Sequence, residues 1–262
     1  MTTPIHFSDG VSYERYMGRW SQRVGEAFLD WLAPKPGLRW LDVGCGNGAF
    51  TELLAARVAP SELQGVDPSE GQLAHARSRP ALSAARFQRG DAMALPFPDR
   101  SFEAVVMPLV ITFVPDPAQG VAEMARVLAA GGTVSAYIWD MDGGGFPYAA
   151  LHEEMRALGA AVGAPASPGA SRSDVLQKLW ADADFQAIEV RQITVQRTFA
   201  DFADYWATVL GGPSVGPGLA AMAPEVVGKL QARVRARLPA DAEGRITQAA
   251  RANAIKGSVR RY

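Results

Sequence analysis

Between Trp40 and Trp139 the chain alternates between short, nearly unbroken apolar runs and stretches where apolar residues recur every three or four positions. Trp40 to Val43 and Phe102 to Met107 are such runs, and with the more mixed segments Glu62 to Val66, Ala85 to Gln88 and Thr133 to Trp139 they predict strands, Phe102 to Met107 a central one. The stretches between them predict helices. One runs from Phe50 to Val58, and one follows a Ser69 cap with Leu73 and Ala76 inward. A third buries Val121, Met124, Ala125 and Leu128, with Glu123 and Arg126 on its wet side. Pro108, which cannot donate to a ladder, should end the fourth strand, and Gly131-Gly132 should turn the chain into the fifth. Strand and helix in alternation imply a parallel sheet with helices on both faces.

The flanks read differently. Upstream, Trp20, Val24, Ala27, Phe28 and Trp31 make one face of a helix within residues 12 to 32, extended forward by Tyr13 and Tyr16 and stopped by Pro34-Lys35-Pro36-Gly37. Downstream of Asp140 come the loop Asp142-Gly143-Gly144-Gly145, a helix from Ala149 to Leu158 and a small-residue loop from Ala160 to Ser171. A long strand follows from Phe185 to Phe199, then a helix over 201–210 with Phe202, Tyr205, Trp206, Val209 and Leu210 on one face. After a loop from Gly211 to Gly218, a helix from Glu225 to Leu238 presents Lys229, Arg233, Arg235 and Arg237 as a solvated face, and Arg245 to Gly257 reads as the last strand. Residues 201–240 are therefore a helical insertion between the last two strands. Tyr205 and Trp206 suit two uses there, a lid over a small organic ligand or packing on the core.

Composition narrows the function classes. A net charge of −1 argues against a general nucleic-acid binder, which carries a basic footprint. No apolar run approaches the eighteen or so residues of a membrane span. The N-terminus lacks the order of a secretory signal, and the single cysteine, Cys45, excludes an internal disulfide and a cysteine-rich metal cluster. A cytoplasmic location is the expectation. No internal repeat is visible.

The chemistry centres on Asp42-Val43-Gly44-Cys45-Gly46-Asn47-Gly48-Ala49, a strand running into alternate glycines and a helix start. Glycines there permit positive φ and bare main chain against a ligand, while N–H groups at the helix start favour a polar or anionic group. Gly44, Gly46 and Ala49 fit the dinucleotide fingerprint for NAD. The same loop fits the first motif of enzymes that use S-adenosylmethionine, and also a turn without a ligand. Asp67, at a strand tip about twenty residues on, is placed to accept both hydroxyl hydrogens of a ribose and suits either cofactor. Gly90-Asp91-Ala92-Met93 separates the two. An aspartate beyond a third strand accepts from an adenine amine, and an NAD reading gives it no role.

LDVGCGNG, GVDPS, GDAMALPFPDRSFEAVV and EMARVLAAGG, in that order, resemble the successive motifs of class I S-adenosylmethionine-dependent methyltransferases, in the small-molecule branch that includes ubiquinone/menaquinone-biosynthesis-like enzymes. The likeness covers residues 12 to 140 well and the remainder loosely. It implies a Rossmann-like, doubly wound α/β fold whose seven-stranded sheet is mostly parallel with an antiparallel last strand. A single domain would span 1–262, with a cover segment at 1–33 and a lid-like insertion at 201–240.

Carried over by position, the resemblance places Asp42, Gly44, Cys45, Gly46, Asn47 and Gly48 around the methionine portion of S-adenosylmethionine. Asp67 would hold the ribose, with Pro68 and Gln72 beside the adenosine, and Asp91, Ala92 and Met93 would hold the adenine. The main chain at Met107 would reach the cofactor's amino group. Tyr13, Tyr16 and Arg19 would fold over it, Arg19 pairing with its carboxylate. Gln72 stands where an apolar residue is common, and Met107-Pro108 where small or polar residues are.

The implied activity is methyl transfer to a small organic acceptor; a cofactor-binding protein without turnover and an NAD-dependent oxidoreductase are the alternatives. His152, Tyr148 and Tyr13 are candidate bases, but none sits in a diagnostic pattern and no catalytic residue is assigned. His6 and His75 have no metal-type spacing.

Overall fold

The computed structural model describes residues 14–212 and 215–260. A π-helical turn, Glu14–Gly18, runs straight into helix α1, Arg19–Leu32, which ends in a left-handed cap at Ala33. Trp20, Val24, Phe28, Leu29 and Leu32 form its buried stripe, while Trp31 lies at its margin under the ammonium of Lys256, 4.7 Å from the ring centre.

Five strands follow as expected: β1 Arg39–Val43, β2 Glu62–Asp67, β3 Arg86–Arg89, β4 Phe102–Pro108 and β5 Leu128–Trp139. They are linked by α2 Ala49–Val58, α3 Glu70–Ser78 and α4 Pro117–Val127. One boundary differs. Leu128 belongs to β5, because a bulge lets it pair with Phe102 before the regular register resumes at Ala104 opposite Thr133. Gly131, at φ +73°, carries the chain through that irregularity.

Beyond β5 the chain forms α5 Ala149–Ala157, α6 Ser173–Asp182, β6 Gln186–Phe199, three helices (α7 Phe202–Leu210, α8 Gly216–Ala220, α9 Pro224–Arg237) and β7 Ile246–Ser258. Helix α6 was not anticipated. It buries only Leu176 and Trp180, four residues apart, too thin a stripe to read beside a proline-containing loop.

The seven strands lie in the order β3-β2-β1-β4-β5-β7-β6. The first five are parallel, and β7 runs antiparallel to both β5 and β6. Connections leave β1 towards β2 on one side and β4 towards β5 on the other. The strand order therefore reverses between β1 and β4, where open α/β sheets bind ligands at their C-terminal edge. One apolar cluster covers one sheet face with side chains from α1, α2, α5 and α7 to α9, and a second lies on the other with α4 and α6. Among the described residues no helix is long and apolar enough to cross a membrane.

One expected surface assignment changes and another gains partners. Leu210, placed on the buried face of α7, is 49% exposed at the helix end. On α9, Arg233 and Arg237 do face outward, but they pair with Glu153 and Glu154 of α5 and so tie the insertion to that helix.

Candidate functional site

The loop after β1 is fastened to β2 from below: Gly44 N–H and Cys45 N–H both donate to the Val66 carbonyl, at 2.8 and 3.0 Å. Gly44 and Gly46, both at positive φ, are glycines for different reasons. A Cβ on Gly44 would come within 2.5 Å of the Val110 side chain, whereas one on Gly46 would meet no atom within 4 Å. The loop is thus packed on its inner side and bare at Gly46, the form of main chain that a ligand can approach.

Asp67, at the tip of β2, uses both carboxylate oxygens on that frame. Oδ2 accepts from Gly46 N–H and Oδ1 from Ser69 N–H, each at 2.9 Å. Burial raises its carboxyl above the ordinary range, against those two hydrogen bonds. Each oxygen keeps further acceptor capacity, so the residue can position the loop and still receive hydroxyl hydrogens. Pro68 is exposed, and its carbonyl takes a bond from Arg89 Nε at 3.1 Å. Gln72 lies buried in the first turn of α3, where the Ser69 hydroxyl caps its N–H.

Asp42 is fully buried on β1 and accepts from Thr51 Oγ1 at 2.7 Å, while its Oδ1 has no partner among the described residues. Burial lifts its carboxyl to about 7; the Thr51 bond pulls the other way, and the nearby Asp67 charge adds to the rise. Cys45 is buried too, and its thiol is pushed far above the ordinary value by burial and then by Asp42 and Asp67, which makes it an inert packing group. Asn47 Oδ1 accepts from Ala49 N–H at 3.2 Å at the start of α2.

Past β3, Asp91 Oδ1 accepts from Met93 N–H at 2.9 Å and Ala94 N–H donates to the Asp91 carbonyl, so Asp91, Ala92 and Met93 form one tight turn with an exposed carboxylate. Glu123 and Arg126, expected on the wet side of α4, hold this segment instead. Leu95 N–H donates to Glu123, and Arg126 donates to the carbonyls of Leu95 and Phe97. The Arg126 hydrogen bond keeps the Glu123 carboxyl below its usual range. Met107 is buried near the tip of β4, one residue beyond the last β1–β4 pair, Asp42 with Val106. Two residues on, Leu109 adopts φ +60°, a strained position for leucine at a strand tip.

The methyltransferase-domain family matches residues 41–136, which include the glycine loop, Asp67, Asp91 and Met107. Residues 41–136 are thus similar to methyltransferase domains. Over 129 residues the chain is 39% identical to demethylmenaquinone methyltransferase of Symbiobacterium thermophilum, an alignment covering 47% of this chain and 51% of that protein. The chain thus spans about half the length of the curated relatives it matches. The fold extends further than the sequence likeness. The YcgJ protein of Bacillus subtilis superposes with a TM-score of 0.58 at 19% identity, over 94% of this chain and all of that one. Phosphoethanolamine N-methyltransferase 2 of Haemonchus contortus, solved with S-adenosyl-L-methionine, gives 0.60 at 19% identity, over 96% of this chain and 56% of that one.

The segments on either side of residues 41–136 meet in an aromatic cluster. Tyr16 stacks on Tyr148 with centroids 4.3 Å apart, and the Tyr148 hydroxyl donates to the Tyr16 carbonyl at 2.6 Å. Trp20 Nε1 donates to the same hydroxyl at 3.1 Å, and Arg197 Nη1 reaches the Tyr16 carbonyl at 3.3 Å. So engaged, and pushed up to about 12 by burial, Tyr148 is a structural phenol and a poor base. His152 is buried beside Phe146, centroids 5.0 Å apart, and burial lowers it to about 4, so it is neutral at pH 7. Tyr205 and Trp206 both belong to the apolar cluster, Trp206 at 9% exposure and stacked on Phe202. That placement favours the packing use of these two rings over the lid use. Arg19 is exposed at the start of α1; Tyr13 and His6 lie outside the described residues. Among the described residues no group of three or more His, Cys, Asp or Glu side chains could hold a metal.

Sequence reasoning missed two participants. Leu109 carries no signal, since leucine does not advertise a left-handed backbone. Arg79, which binds the Asn47 carbonyl through Nε at 2.7 Å, sits outside every motif.

Proposed function

We propose that this chain binds S-adenosylmethionine across the C-terminal tips of β1 to β4 and transfers its methyl group to a small organic acceptor. The observation that carries the reading is the bare main chain at Gly46, flanked by Asp67 and bonded to it, with the exposed Asp91 turn beyond β3. When bound, the cofactor supplies an already electrophilic sulfonium methyl, so the protein's work is positioning and exclusion of water.

In this reading the loop from Gly44 to Gly48, with Asp42, Cys45 and Asn47, surrounds the methionine portion. Asp67 takes the ribose, with Pro68 and Gln72 alongside; Asp91, Ala92 and Met93 take the adenine, and the Met107 main chain takes the amino group. Tyr13, Tyr16 and Arg19 belong to a cover over 1–33, with Arg19 offering its exposed cation to a carboxylate. The 201–240 insertion closes the acceptor side as a packed unit, and 1–262 works as one domain. A demethylmenaquinone-like quinone, the acceptor in the name of the Symbiobacterium thermophilum relative, fits this reading. So does a cytoplasmic setting, because the only cysteine is a buried, protonated thiol. The near-neutral chain offers no track for nucleic acid.

Calorimetry with S-adenosylhomocysteine and with NAD tests the cofactor, and formation of S-adenosylhomocysteine from S-adenosylmethionine with a panel of small acceptors tests transfer. Binding of NAD alone overturns the assignment. Cofactor binding with no turnover on any acceptor class points to a binding protein.

A further inference from the structure

The glycine loop has a second support that none of its motifs predicts. Gly48 N–H donates to the Cys45 carbonyl at 2.9 Å, closing a four-residue turn with Gly46 and Asn47 at its centre. The carbonyl of the same Asn47–Gly48 peptide points the other way and accepts from Arg79 Nε at 2.7 Å. Arg79 Nη1 in turn bonds Glu52 Oε2 at 2.6 Å, in the first turn of α2. Arg79 caps the end of α3, and the corner it belongs to presses on the loop as well. A Cβ on Gly48 would lie 2.8 Å from Leu82 Cδ1 and 3.1 Å from Ala76 Cβ. The guanidinium is mostly sheltered, with 19% of its side chain exposed, so both bonds are charge-assisted in partly dry surroundings.

We infer that Arg79 is a positioning residue for the cofactor: it locks the Asn47–Gly48 peptide, and with it the turn that presents Gly46. A planar fork suits this task because it reaches a loop carbonyl and a helix carboxylate at once. A lysine at the same place has one compact ammonium to divide between them. The inference rests on the proposed cofactor reading.

The test uses S-adenosylhomocysteine as probe on the whole chain, with affinity by calorimetry, melting temperature, and amide exchange of residues 44–52. Arg79→Gln is expected to weaken binding about tenfold, the loss of a charge-assisted bond passed on through the loop, and to speed exchange in that segment alone. Arg79→Lys should recover part of the affinity and Glu52→Gln should lose part of it. Arg57→Gln, which breaks an exposed pair with Asp30 on the same helix as Glu52, is the control and should bind as the unaltered protein does. Binding by folded Arg79→Gln within twofold of the unaltered protein overturns the inference and leaves the cofactor reading standing. No binding by the unaltered protein overturns both. If Arg79→Gln does not fold, Arg79→Lys and Glu52→Gln decide, and unchanged affinity in both overturns the inference.

Discussion

At the tips of β1 to β3 the backbone is held by carboxylates: Asp67 on Gly46 and Ser69, Asp91 on Met93, Glu123 on Leu95. Between the π-helical turn, α5 and α7 it is held by stacked and edge-on rings, with Tyr148 at the centre of Tyr16, Trp20 and Tyr205. The first arrangement fixes particular N–H groups in space and leaves main chain bare. The second excludes water and directs hydrogen bonds from Tyr148 and Arg197 onto one carbonyl, that of Tyr16. The family likeness covers residues 41–136 and leaves the rings of the cluster outside it on both sides. A cofactor demands given residues at given backbone positions, whereas an apolar cluster accepts many sequences of similar volume.

The sharpest way to break this comparison is Trp206→Ala. If the ring serves packing, truncation costs about 3–5 kcal/mol of stability while affinity for S-adenosylhomocysteine in the folded protein stays within about twofold. Thermal melts beside calorimetry read both. A stable variant with impaired turnover would return Trp206 to the lid use.

Titration separates the two regions by sign. Asp42 has its carboxyl raised from 3.8 to about 7, so between those values the folded chain keeps a proton that the unfolded chain has released. Its contribution to stability is therefore greatest in acid and is lost as pH rises towards 7, by up to a few kcal/mol at roughly 1.36 kcal/mol per pKa unit. Asp42→Asn should remove that loss, and urea midpoints at pH 5 and pH 8 should show the variant gaining on the unaltered protein at the higher pH. His152 acts oppositely. Lowered from 6.5 to about 4, it is neutral when folded while the unfolded chain takes up a proton, so its contribution is intact above 6.5 and lost as pH falls through that window. His152→Phe should flatten the acid limb of the same curve.

Smaller effects sharpen the contrast. Asp67→Ala removes the acceptor for two loop amides and for the ribose, and should cost about 1.5–3 kcal/mol in binding S-adenosylhomocysteine. Its melting temperature should move far less than that of Trp206→Ala. At the bottom of the scale, Arg237→Gln breaks half-exposed pairs with Glu153 and Glu154 and should change stability by under about 1 kcal/mol in a urea titration, and binding not at all.

What could be read from the sequence follows the same division. The five parallel strands, the long strand ending at Phe199 and the helices α7 and α9 between β6 and β7 were legible because period and length agree over each, whereas the short α8, Gly216–Ala220, begins inside what reads as the loop from Gly211 to Gly218. Asp67 and Asp91 were legible as positions, but not their bonds to Gly46 and Met93, which depend on how two loops meet. Glu123 and Arg126 looked like a solvated pair from helical spacing alone. Only the fold brings the 95–97 segment over them. Helix α6 was hidden by having two buried residues, and the left-handed Leu109 by the absence of any residue type that marks it.

The strand order sets a timetable for synthesis. β7 lies inside the sheet, between β5 and β6, yet it is the last of the seven to be made. The flank of β5 it will occupy is complete at Trp139, roughly a hundred residues earlier, and at about 5–20 residues per second that flank waits on the order of 5–20 s for its partner. During that interval the nascent chain presents an open apolar strand edge beside Trp139, the kind of surface on which a second chain can pair. Slow elongation through the 201–240 insertion should therefore raise aggregation of this protein even though its finished sheet leaves no such gap.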